Sequence, residues 1–282
     1  MLKETIYTPR GVSKGFFPFL KSGFVGLKEG HYLGRQLFIR DIKAQFRDSF
    51  LGFFWAFAPA FVTALLWIFL NHSRVISVSV TGMSFPVFAI TGTFFWQIIT
   101  QSITLTMGTI NSGKSLLTKL NFPRESLLVQ AMYKLLYNIG ILLIVTLIIL
   151  FFMGWRPGVS LLLLPFVIID LLIFGFSIGL IFLSLFTLVA DFSRFISIGL
   201  QLLMYISAVV FPVPETGGFG TLIFKLNPFT YLVIFARDIL VGMPVENLPL
   251  FLGISGVGVI LFCIGLMAYK ITMPFIIERM GS

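Results

Sequence analysis

Two stretches of this 282-residue sequence have the spacing of nucleotide chemistry. Gly108–Ser115 reads GTINSGKS, the pattern of a loop whose backbone amides cradle phosphates while its lysine reaches the terminal ones. Phe166–Asp170 reads FVIID, an apolar run ending in an acid, as in the strand that holds magnesium beside such a loop. Context refuses both readings. A phosphate loop follows a short buried strand inside an α/β domain, whereas the run before Gly108 is as long as a membrane helix and Asp170 lies inside another apolar run. An external turn between those runs would also set the two motifs at different membrane depths. Gly108–Ser115 therefore reads as a helix end, with Gly113 as breaker and Lys114 and Ser115 facing the cytosol. Asp170 has two readings. An ionisable residue in a span is functional by default; the alternative is a hydrogen-bonded carboxyl that fixes packing, against Arg237 if that segment dips inward. No matching acid or histidine stands in the other spans, so a proton-coupled carrier is not indicated. His31 and His72 are isolated and the 11 acids are scattered singly. No metal site is expected, nor the acidic cluster with which a membrane glycosyltransferase would activate an acceptor.

The elements that must position these residues follow from composition. Hydrophobic residues make up 57% of the chain and charged ones 11%, and the mean hydropathy is +1.01. A soluble domain of this length could not hide so much apolar surface, so the chain reads as an all-α polytopic membrane protein. The net charge of +9 is compatible with nucleic acid, but nine of the 20 Lys and Arg precede residue 50, next to the first span. Juxtamembrane cations orient the chain and contact anionic lipid; no nucleic-acid partner is expected. The single cysteine, Cys263, excludes an intramolecular disulfide and reads as packing. No apolar leader core precedes Gly34.

The organising stretch is Gly34–Leu70. At helical spacing, Phe38, Ile39, Ile42, Phe46 and Phe50 share one side, Arg40, Lys43 and Arg47 lie beside them, and Asp41 and Asp48 lie opposite. That is an amphipathic helix in the membrane interface, over 34–48. It runs directly into an uncharged span, 50–70. Residues 1–33 are expected to be a weakly patterned basic cytoplasmic arm, and 34–282 a single transmembrane domain. Further spans fall near 85–107, 127–153, 159–189 (interrupted by Pro165), 195–211 and 248–269, with Asp191–Arg194 as a short internal turn. With both termini inside, 16 cations lie on the inner side and four outside, the bias that orients membrane proteins.

Residues 212–247 are too broken to cross as full helices and too apolar for a solvated loop. Short re-entrant helices packed on protein fit; a loop resting on the outer surface is the other reading. Aromatics crowd the first two spans. Phe53, Phe54, Trp55, Phe57, Trp67 and Trp96 are candidates for a stacking surface that sugar rings would use, set against ordinary packing.

Taken in order, these pieces resemble the membrane subunit of the type-2 ATP-binding-cassette exporters, in the polysaccharide and polyol-phosphate branch that exports O-antigen, capsule and teichoic acid. The resemblance rests on RDIKAQFRDSFLGFFWAFAPA (Arg40–Ala60), with Gly52, Trp55 and Pro59, and on NSGKSLLTKLNFPRE, with Lys119, Phe122, Pro123 and Arg124. It also rests on Asp191 and Arg194, on SAVVFP (Ser207–Pro212), and on NPFTYLVIFARDIL with Asn227, Pro228 and Arg237. It covers Gly34 to the C-terminus. In three places the sequence departs from the pattern. The turn before the fifth span reads Asp-Phe-Ser-Arg instead of adjacent Arg-Asp, SAVVFP lacks the usual Ser-Pro, and Asp170 is not part of it. The resemblance implies a bacterial inner-membrane permease that pairs with a second copy and two ATPase subunits. ATP and magnesium would sit on those partners, with no cofactor on this chain. Asp41, Asp48, Lys114, Phe122, Pro123, Arg124, Asp191 and Arg194 would couple to the ATPases. Arg40, Lys43, Arg47 and Lys119 would meet a polyprenyl-diphosphate-linked glycan at the inner entrance, and Pro212, Asn227, Pro228 and Arg237 would gate the outer mouth. Export of a drug or other small molecule within the same family, or an ATP-independent channel or scaffold, are the alternatives.

Overall fold

A computed structural model describes residues 16–47, 52–74, 80, 82–117, 119, 122–186, 190–214, 217–245 and 248–281. In chain order the helices are α1 (Phe16–Glu29), α2 (His31–Phe46), α3 (Ala58–His72), α4 (Phe85–Met107), α5 (Thr109–Leu117), α6 (Glu125–Phe152), α7 (Leu164–Phe186), α8 (Ala190–Tyr205), α9 (Phe219–Leu226), α10 (Pro228–Val241) and α11 (Leu248–Gly281), with 3-10 turns at Gly52–Ala56 and Val159–Leu163. No strand occurs among the described residues. Among those residues three segments are long and apolar enough to cross a membrane: Glu125–Phe152, Val159–Leu185 and Leu248–Arg279. The pair α9–α10, bent by 74°, makes a fourth if counted as one broken span.

The core sits on α4, which packs against α3, α6, α7, α8 and α10. Of its 23 residues 17 are buried, which explains its composition. Thr, Ser and Gln recur along it, too polar for a lipid-facing helix but acceptable where neighbours cover them. Each hydroxyl turns back on its own helix: Thr91 donates to the Val87 carbonyl, Thr93 to Ala89, Ser102 to Ile98 and Thr106 to Ser102, at 2.6–2.7 Å. Where α7 crosses α4 the contact is made by small residues. A Cβ built on Gly175 would stand 2.6 Å from that of Ser102, and one on Gly179 2.7 Å from that of Thr106. Gly265 of α11 approaches Leu180 of α7 in the same way. Apolar burial gives no drive between helices in lipid, so close backbone approach and dispersion must supply it.

Several boundaries differ from expectation for identifiable reasons. The basic arm is not patternless: it contains α1, and α2 begins at His31. Gly26, Gly30 and Gly34 form a stripe four residues apart that lies on the start of α6, so that a Cβ on Gly30 would stand 2.7 Å from the Ser126 amide nitrogen. The 50–70 span resolves into the turn Gly52–Ala56 and then α3, whose first turn carries Pro59. A proline there needs no amide partner and starts a helix. Pro165 likewise sits in the first turn of α7 and interrupts nothing. The polar segment after α4 forms α5. Asp191–Arg194 is the first turn of α8 and not a loop, and α8 ends at Tyr205. Residues 270–281 continue α11 through Pro274. The region 212–247 does hold two short helices joined at a sharp bend.

Gly30→Val should push α2 off α6 and destabilise the protein by about 2 kcal/mol, the usual scale of overpacking. Thermal unfolding in detergent would show this as a lowered midpoint. Gly23→Ala, facing open space, should leave the midpoint in place.

Candidate functional site

The candidate residues gather at the two ends of the bundle. At the basic end, α1 and α2 are fastened to α6 and α11. Asp41 accepts from the Gln130 side-chain amide at 2.6 Å and from Arg40 at 2.8 Å. Gln130 is buried, so Asp41 ties α2 to α6 through a charge-assisted bond, worth about 1.5–3 kcal/mol. Lys270 of α11 donates to the Ser22 hydroxyl at 2.7 Å and stands 3.9 Å from Glu125. The buried Tyr269 hydroxyl donates to the Arg124 carbonyl at 2.9 Å. Three helices thus meet on the residues that open α6. Phe122 packs half-buried against the core, and the Pro123 carbonyl accepts from the Ser126 amide and hydroxyl. Around this clamp Lys43, Arg47, Lys114 and Lys119 are exposed. Asp191 and Arg194 are exposed on α8 and stand 3.9 Å apart, an arrangement of little energetic weight. Asp48 lies outside the described residues.

Gly108–Ser115 does not form a phosphate loop: residues 109–117 are one continuous helix, whose Gly113 lies against the Leu127 side chain. Asp170 does not meet Arg237. It accepts from Ser255 of α11 at 2.9 Å, and Ser255 also reaches the Phe251 carbonyl at 2.8 Å. The acid therefore joins α7 to α11. Among the described residues no group of three acids, histidines or cysteines stands together as a metal site.

At the far end, Arg237 is 2% exposed and closes the turn after α8. Its Nη2 donates to the Ala208 and Val209 carbonyls, both at 2.9 Å, and its guanidinium lies 3.6 Å from the centre of the Phe88 ring. Gly92 leaves room for this on α4; any Cβ there would strike the Val209 carbonyl and Nη2. Ala208 holds φ +51, a left-handed conformation that costs a residue with a Cβ about 1 kcal/mol and that these bonds hold in place. Asn227 works from the other side. Its amide nitrogen donates to the Ile206 carbonyl and the Ser207 hydroxyl, and its oxygen accepts from the Phe229 amide to cap α10. Pro228 follows as the first residue of α10, while Pro212 lies just past the turn. One helix start and one helix end are locked together by two side chains.

The aromatic candidates divide. Phe54 and Trp55 are exposed on the 3-10 turn and Phe57 is half-buried beside them. Trp67 meets Phe85 edge-on at 6.2 Å, and Trp96 is buried edge-on against Phe229 at 5.6 Å. Trp96 is a core contact of α4 with α10. The Phe53 side chain lies outside the described residues. Sequence reasoning missed Gln130, Tyr269 and the glycine stripe; the GxxxGxxxG spacing of Gly26, Gly30 and Gly34 was the legible signal.

These features define a multi-pass helical membrane protein with a fastened, cation-rich end and a locked helix pair opposite. The family model for the ABC-2 type transporter matches residues 32–241, and the chain belongs to that family. Membrane domains of this family carry no ATPase domain and pair with nucleotide-binding ATPase subunits. The chain is 27% identical over 205 residues to an O-antigen export system permease protein RfbA of Klebsiella pneumoniae, covering 71% of this chain and 76% of the relative. A protein of the same description from Myxococcus xanthus is 26% identical over 196 residues, covering 69% and 74%.

Arg237→Met should leave two buried carbonyls unpaired, at about 1–3 kcal/mol each, and free the turn after α8. A lowered thermal midpoint together with faster proteolysis at residues 206–214 would record it. Arg237→Lys should recover only part, since an ammonium cannot reproduce the planar fork.

Proposed function

We propose that this chain is the membrane-spanning subunit of an ATP-driven exporter that moves a polyprenyl-diphosphate-linked polysaccharide of O-antigen, capsule or teichoic-acid type across the bacterial inner membrane. Two copies work with two ATPase subunits, which carry ATP and magnesium. The observation that supports this best is the cation-bearing helix α2 pinned to the start of α6, in a chain similar to O-antigen export permeases over most of both lengths. A lipid diphosphate arriving in the inner leaflet meets Lys43, Arg47 and Lys119 at the level of the headgroups, where opposite charge concentrates it. Arg40 serves differently, since Asp41 engages it and it steadies the clamp.

In this reading the chain crosses six times, through the turn at 52–56 with α3, through α4, α6, the turn at 159–163 with α7, α8, and α11. Both termini lie in the cytoplasm and α9–α10 form a re-entrant gate outside. Asp41, Arg124, Phe122 and Pro123 sit where an ATPase subunit pressing on α1, α2 and α5 would move the end of α6. Lys114 on α5 and the exposed Asp191 and Arg194 add docking surface. Asn227, Pro228 and Arg237 hold the outer gate, with Pro212 at its edge, and Phe54, Trp55 and Phe57 stand where the first span begins.

Purification in mild detergent should bring down an equimolar ATPase subunit carrying a true phosphate loop, and the complex should hydrolyse ATP faster with a polyprenyl-diphosphate oligosaccharide. A chain that comes out alone after crosslinking, or a complex that ignores this lipid, would refute the reading. Lys43→Gln with Arg47→Gln should lower export on the order of tenfold, the loss of about 1.4 kcal/mol of attraction, with insertion preserved. Export equal to wild type would remove both cations from the substrate path.

A further inference from the structure

We infer that the seam between α4 and α6, under α3, holds a binding track for the uncharged, hydroxyl-rich part of the exported glycan, with Gln97, Gln101 and Asn138 as its contacts. The inference rests on the exporter reading above and adds to it the residues that meet sugar rather than diphosphate. The Asn138 amide donates to Gln101 Oε1 at 3.2 Å, and Gln101 reaches Gln97 Oε1 at 3.5 Å, the outer limit of a hydrogen bond. All three are half-buried. Each side-chain amide offers two donors and an oxygen with two acceptor sites, so these bonds leave most of that capacity unspent. Three primary amides in a row, well inside two long helices, are costly in hydrocarbon. A single packing contact would need one pair of them.

The track continues on hydroxyls. Gln97 lines a small space with Thr63 of α3, Thr93 of α4 and Thr146 of α6, and its volume is about 10 Å³, at the limit for one water. The seam is therefore closed in this conformation, and α3 is the element that closes it. Of its 15 residues only Ala64 is buried, so α3 is the most weakly held helix on the seam and the one whose withdrawal would open it. Tyr133 and Tyr137 of α6 turn instead to α2, where Phe38 lies 5.7 Å from Tyr133 and 5.9 Å from Tyr137. Neutral amides and threonine hydroxyls, which both donate and accept, suit the hydroxyl groups of a sugar. The three amides carry no charge, which separates them in chemistry from Lys43 and Arg47, and the half-buried Lys134 stands one turn before Asn138 on α6.

The test uses the intact complex with its ATPase subunit in vesicles, supplied with a polyprenyl-diphosphate oligosaccharide. Gln101→Leu, Asn138→Leu and the double variant Q101L/N138L are compared per assembled complex. Glycan transport should fall on the order of tenfold in each single variant and at least as far in the double. Recovery toward wild type in the double would overturn the proposal, because a pair that only holds two helices together tolerates joint replacement by apolar groups. Gln97→Met, which keeps the volume and disturbs no short bond, should show the same loss in a complex that assembles normally; undiminished transport there would also overturn it. A wild-type complex that ignores lipid-linked glycan refutes the exporter reading and this track with it. Wild-type transport undiminished in all variants refutes the track alone.

Discussion

The fold depends on one constraint: α4 is too polar to face lipid and must be covered along nearly its whole length. Its Thr and Ser hydroxyls are satisfied by their own helix, so they ask nothing of the neighbours except exclusion of hydrocarbon. That leaves the neighbours free to pack by shape. Gly175 and Gly179 bring α7 against Ser102 and Thr106, and Gly92 admits the turn that follows α8. α7 is packed between α4 and α11, while α3 and much of α11 face outward. Aromatic contacts finish the assembly; Phe235 of α10 stacks on Phe251 of α11 with ring centres 3.7 Å apart.

Most of the strong directional bonds fall at the ends, while Asp170–Ser255 and Asn138–Gln101 join helices farther in. Asp41–Gln130, Lys270–Ser22 and Tyr269–Arg124 hold the basic end, and Arg237 and Asn227 hold the other. Bonds that demand fixed geometry fix helix ends relative to each other. Contacts between small residues and apolar side chains tolerate sliding. A buried polar bond broken in mid-membrane finds no water to replace it, so the few that lie there resist sliding.

Much of this is legible in the sequence. Hydropathy and cation placement point to the helical class, the extent of α4 and the two short helices after α8, because membrane length and charge bias are strong signals. The rejection of GTINSGKS as a phosphate loop comes from the run before it, and residues 109–117 are helical. The arm before Gly34 misleads because its pattern is one of small residues, which an apolar-periodicity reading passes over. Asp170 and Arg237 pair on charge alone. The fold separates them because Arg237 is needed at two carbonyls of a left-handed turn, and a serine one helix away serves the acid. Such local backbone demands leave no trace in residue types.

The two ends are joined by rigid elements. α4 carries Gly92 and Phe88, which receive Arg237, and its other end leads directly into α5 at the basic end. α6 begins at the clamp on Asp41 and Tyr269 and reaches Leu150 and Met153 at the opposite side. Any displacement of α1, α2 and α5 must therefore be carried by α6, α4 and α11, the last tied to α1 through Lys270 and Ser22. Arg237 is seated across α4, α10 and the turn after α8, so it cannot stay in place if α4 moves alone. Either α8, α9 and α10 travel with α4, or the two carbonyl bonds break. Since those bonds are buried and Asn227 binds the same turn, movement as one body is the less costly course. The gate helices are thus attached to the central helix, while α3 lies against the bundle through Ala60, Ala64 and Trp67 and keeps most of its surface exposed.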